Sequence, residues 1–129
     1  MSIGVWEPDK PVTIELAQLR HWLEVYRQGD PENLAAGLSD DEIQADATVT
    51  KLDEGAWQAA EQLNCEEIGD LVRFFTLAET QLPNWQGGET SPVIYLVKIL
   101  RARGAFPDTL RKWIKRHTDN RYLPYGPAL

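Results

Sequence analysis

The sequence predicts an all-α fold, one compact domain of five to six helices spanning residues 1–129, and three observations carry that expectation. Apolar residues recur at intervals of three and four along two long stretches, 13–28 and 65–82. Helix-start signals stand just before Asp40 and Pro92. The stretch 92–103 is apolar on nearly every side, as expected of a buried central helix.

Along 13–28, Ile14, Leu16, Leu19, Trp22, Leu23 and Tyr26 form the apolar stripe, and Glu15, Arg20, Glu24 and Arg27 fill the other side. This is an amphipathic helix. Gly29 stops it, and Pro31 bars Asp30 from helical backbone, so a short helical turn to Ala36, closed by Gly37, follows. Ser39 with Glu42 three residues on has the form of a capping box, in which each side chain satisfies a free backbone amide at the other position. A helix should begin near Asp40. The β-branched run Thr48, Val49, Thr50 predicts a break, with helix resuming through Trp57, Ala60 and Leu63 to Asn64.

In 65–82 the set Ile68, Leu71, Val72, Phe75, Ala78 and Leu82 keeps helical spacing, and Glu66, Glu67 and Asp70 sit in the first turns, where the helix dipole favours negative charge. Pro83 ends it, and 83–90, with Gly87 and Gly88, reads as a loop. Ser91 before Pro92 suits a helix start, because proline lacks the amide proton that would go unpaired there. Val93, Ile94, Tyr95, Leu96, Val97, Ile99 and Leu100 follow, and Gly104 supplies the stop. A last helix, Asp108 to His117, places Leu110, Trp113, Ile114 and His117 on one side and Arg111, Lys112, Lys115 and Arg116 on the other. The segment 118–129, with Tyr122, Leu123 and Tyr125, reads as an extended aromatic tail, too apolar to float free.

A chain of 129 residues with 43% hydrophobic and 26% charged residues and five tryptophans has enough apolar mass for a core, which excludes general disorder. The lone Cys65 cannot form an internal disulfide, and no Cys or His pair has zinc-site spacing, so a reducing, cytoplasmic setting and no cofactor are the simplest expectation. The longest apolar run, 93–97, is far too short to span a membrane, and the first residues lack the pattern of an export signal.

Charge is the most informative feature for function. From 98 to 129 there are eight basic residues against two acidic ones, whereas the rest of a chain of net charge −7 holds eighteen acidic against five basic. Such asymmetry speaks to an electrostatic partner rather than to fold. The expected role is a non-catalytic interaction or regulatory module that offers a protein partner a basic, aromatic surface made of Arg111, Lys112, Lys115, Arg116, Arg121, Tyr122 and Tyr125. A second reading takes the helix pair 92–103 and 108–117 as the outline of a helix-turn-helix and gives the same basic face to nucleic acid. In the competing bland reading, the stripe is a solvated face and the tail covers the chain's own core. A homo-oligomer pairing acidic body with basic end is a further arrangement the charges allow.

Other candidates weigh less. Gly87 and Gly88 before a helix start could cradle an anion, but the loop lacks a P-loop lysine and follows a helix rather than a strand. The acidic group Asp40, Asp41, Glu42 and Asp46 does not have calcium-loop spacing. His21, His117 and Cys65 are isolated in sequence, so an enzyme is a third reading without a motif behind it.

Overall fold

The computed structural model describes residues 13–118 and 120. Among them are five α-helices and no strand: α1 (Leu16–Gln28), α2 (Asp40–Asp46), α3 (Cys65–Gln81), α4 (Pro92–Ala102) and α5 (Asp108–His117). A nine-residue 3-10 segment, Glu54–Gln62, lies between α2 and α3, and the all-α expectation holds.

The boundaries follow local chemistry. Helix α1 starts at Leu16 rather than at residue 13, because the Ile14 amide donates to the Ala56 carbonyl at 3.0 Å and holds the incoming chain extended against the 3-10 segment. The Ser39–Glu42 capping box forms as the sequence indicates. The second half of the middle region is not α-helical. Trp57 and Ala60 within it and Leu63 just after it are buried and recur every three positions, which is the period of a 3-10 helix. It ends at Gln62, and Asn64, instead of closing it, caps α3 in a second capping box with Glu67.

Helices α3 and α4 share the centre. Nine residues of α3 are buried, and it packs against α1, α4, α5 and the turn Leu34–Gly37. Along α4, Pro92, Val93, Ile94, Leu96, Val97 and Leu100 are buried, while Tyr95 and Ile99 are half-buried and Lys98 is exposed. An aromatic cluster of Trp22, Trp57, Phe74, Phe75 and Trp85 joins the layers, with ring centroids 5.0 to 6.3 Å apart. Edge-on, tilted and stacked pairs of this kind each add roughly 0.5–1.5 kcal/mol beyond their burial. Trp85 also donates its indole N–H to the Ile43 carbonyl at 2.8 Å, which ties the loop after α3 to α2. Across α1 and α3, Arg20 pairs with Glu67 at 3.2 Å and Arg27 with Asp70 at 2.8 Å. These exposed pairs set register more than stability, at about 0–1 kcal/mol each. Among the described residues, no helix is long and apolar enough to cross a membrane.

Candidate functional site

Helix α5 is mounted on the core by Leu110 and Ile114, four residues apart and both buried, so the opposite side must face water. Arg111, Lys112, Lys115 and Arg116 are all exposed there. The turn before α5 is set by Gly104, whose φ of +68° lies in the left-handed region that favours glycine, and by the Ala105 amide donating to the Leu100 carbonyl at 2.8 Å. Helix α5 rests chiefly on α3, not on α4. The turn therefore joins two helices that lean on a third.

The stripe contains an anion of its own. Asp108 accepts from Arg111 at 2.6 Å and lies 3.2 Å from the Lys112 ammonium, one helical turn away in each case. The Arg111 hydrogen bond first, and Lys112 second, hold the Asp108 carboxyl below the usual carboxylate range. Two of the stripe's cations thus share one carboxylate, whereas Arg116, at the other end, has no ion pair among the described residues.

An aromatic edge borders that end. Trp113 and His117, which the spacing assigns to the inner side, are half-buried at the rim of the helix. Their rings stack at 4.1 Å between centroids, and His117 Nδ1 lies 2.7 Å from the Trp113 carbonyl oxygen. From α3, the Arg73 guanidinium sits 5.8 Å from the Trp113 ring centroid, within cation–π range. The i, i+4 spacing of Trp113 and His117 is visible in the sequence, but the approach of Arg73 is not, because it crosses from another helix. The remaining residues of the expected surface, Arg121, Tyr122 and Tyr125, lie outside the described residues.

The loop 87–91 has a different occupant from the one an anion-binding reading would supply. The Glu79 carboxylate, only 3% exposed, reaches into it from α3 and accepts from the Ser91 hydroxyl and from the Gly87 amide. Asn120 adds its side-chain N–H at 3.3 Å while donating to the Gly88 carbonyl at 2.9 Å, so the chain leaving α5 is fastened over this loop. Burial pushes the Glu79 carboxyl up, and the hydrogen bonds from Ser91, Asn120 and Gly87, with the charge of Lys51, pull it only part of the way back. Gly87 is required by close approach, since a Cβ there would stand 2.7 Å from the Ser91 Cα and 2.8 Å from the Thr50 carbonyl oxygen.

The reactive side chains are engaged separately. His21 lies 3.0 Å from the Glu42 carboxylate, and Cys65 is half-buried at the start of α3 with an Arg103 nitrogen 3.8 Å from its sulfur. Among the described residues, no group of three or more His, Cys, Asp or Glu side chains could hold a metal ion. Comparison of the chain with family models, with curated proteins and with solved structures finds no match.

Proposed function

We propose that the protein is a non-catalytic interaction module that docks through α5 onto an acidic surface of a protein partner. The observation that carries this reading is the mounting of α5: two buried anchors fix a helix whose outer side presents four exposed cations beside the half-buried Trp113. A rigid, preorganised face spares the ordering cost that a mobile basic tail would meet on binding. The charges steer encounter, because the rest of the chain is strongly acidic and repels anions elsewhere. Tryptophan and arginine at the rim supply the side chains that most often dominate interface energetics.

Asp108 favours a protein partner over a duplex. It sets a carboxylate at the N-terminal end of the stripe, against Arg111 and Lys112, where a nucleic acid lying along the helix would bring phosphate, whereas a protein can place its acids at the Arg116 end and an apolar side chain against Trp113. The test is fluorescence anisotropy of a labelled Asp/Glu-rich peptide bearing one central leucine, titrated with the wild type, with Trp113→Ala, and with the variant carrying Gln at 111, 112, 115 and 116. Affinity should fall about tenfold or more in the four-Gln variant, with a thermal midpoint near that of wild type, and severalfold in Trp113→Ala measured below its own unfolding transition. Unchanged affinity in a folded four-Gln variant overturns the proposal.

A further inference from the structure

The sequence leads one to expect α4 buried on almost every side, yet the structure leaves a strip of it open. Between α4 and the segment Glu54–Gln62 runs a groove of about 450 Å³, with the half-buried Tyr95 and Ile99 along α4. Its two walls carry opposite charge. Glu54 and Glu61 belong to the 3-10 segment, Lys98 and Arg103 to α4 and its C-terminal end, so the groove is formally neutral in a chain of net charge −7. The Lys98 ammonium reaches Glu54 at 2.9 Å, and Arg103 donates to the Glu61 and Leu63 carbonyls at 2.8 Å.

We infer that this groove seats a second copy of the chain, in a two-fold dimer whose axis runs along the groove. An apolar centre with a polar, charge-balanced rim has the composition of an interface core. Two acidic chains repel wherever their bodies meet, and this neutral patch lifts that penalty locally. A two-fold contact needs a patch complementary to itself, and walls of opposite sign satisfy that condition in one orientation. Rotation about an axis parallel to the groove brings the acidic wall of one copy over the basic wall of the other. Rotation about the in-plane perpendicular would set acid on acid and base on base.

The contact is independent of α5, so the two proposals fail separately. The experiment is sedimentation velocity of the full chain from low micromolar to several hundred micromolar, on wild type, Lys98→Glu, Glu54→Lys, an equimolar mixture of those two, and Ile99→Asp. Glu54 and Lys98 are about half exposed, with side chains 61% and 45% accessible, so both reversals should fold with near-wild-type thermal midpoints. Wild type should reach the mass of two chains. Each reversal alone should weaken association at least about tenfold, because like charges then face each other twice across the axis. The mixture should recover most of the loss as a heterodimer, since every pair across the axis is again of opposite sign. Ile99→Asp should remain a single chain, and the four-Gln α5 variant should dimerise like wild type. A wild type that stays one chain at the highest concentration, reversals without effect, or a mixture that does not recover would each overturn the inference. So would loss of the dimer in the four-Gln variant, which would put the contact at α5 and assign the second copy to the basic face.

Discussion

Glu79→Gln isolates the energetics of the loop that fastens α3, α4 and the chain after α5 together. The wild-type carboxylate is almost fully enclosed, accepts from the Ser91 hydroxyl, the Gly87 amide and Asn120, and has no ion pair among the described residues. Burial is the larger influence and raises its affinity for a proton above that of an unfolded glutamate. Between the ordinary glutamate range and the raised folded value, the native state therefore holds a proton that the unfolded state has released. Stability falls as pH rises through that window, at up to about 1.4 kcal/mol per pH unit, and levels off above it. The amide of the variant does not titrate, so this decline disappears. That amide, like the protonated carboxyl, keeps one carbonyl acceptor and presents a donor beside it, so it stands in for the acid form, whereas only the ionised carboxylate accepts with both oxygens. The two proteins should thus be close in stability at acidic pH, within about 1 kcal/mol, and wild type should lose ground to the variant toward neutrality. Urea unfolding of both proteins at a series of pH values from about 4 to 8 measures the difference, in which other titrating groups cancel. A wild-type advantage that grows with pH would refute the reasoning, because it would mean that the hydrogen bonds outweigh burial and hold the folded carboxyl low.

Two further substitutions test the packing around the same loop and the aromatic cluster. Gly87→Ala places a methyl against backbone atoms of Ser91 and Thr50 that cannot yield without moving the loop, and urea unfolding should show a loss of about 1–3 kcal/mol. Trp85→Phe removes the donor to the buried Ile43 carbonyl and shrinks a ring in contact with Phe74 and Phe75, so the loss should be about 2–4 kcal/mol, whereas a value under about 0.5 would show that water replaces the donor.

What could be read in the sequence was whatever neighbouring residues determine. The apolar periods of α1 and α3, the Ser39 capping box, the Ser91–Pro92 start of α4 and the bounds of α5 are each set within a few positions, and the structure reproduces them to within three residues. The Asn64–Glu67 box has the same local form, but the apolar stripe through Trp57, Ala60 and Leu63 runs up to Asn64 and draws it into the preceding element. The 3-10 segment illustrates an ambiguity of period: Trp57, Ala60 and Leu63 fit intervals of three as well as an α-helical stripe, and the bond from Ile14 to Ala56 that accompanies the tighter form comes from about forty residues away. The open strip of α4 was hidden for a different reason. Apolar residues all round a helix argue for burial, but apolar side chains also remain at protein surfaces, and which side stays open depends on how many elements reach it.

The basic stripe of the candidate site was legible because charge on one helix face follows from spacing alone. Its modifiers were not. Asp108 enters the charge balance of the sequence, but only its geometry shows it pairing with Arg111 and Lys112, and Arg73 joins Trp113 solely through the docking of α5 on α3. Glu79 could not have been singled out, since a glutamate on a helix reads as solvated until Ser91, Gly87 and Asn120 are found around it.

The central claim, that α5 is a face for protein rather than for nucleic acid, is tested most directly by paired anisotropy titrations. Labelled single- and double-stranded DNA and RNA, and the acidic leucine-bearing peptide, would be titrated with the same protein at low and at physiological salt. The expected result is peptide binding that persists at physiological salt and depends on Trp113, with nucleic acid bound weakly or not at all. Tight nucleic-acid binding that falls steeply with salt and vanishes in the four-Gln variant would contradict it and assign the stripe to phosphates.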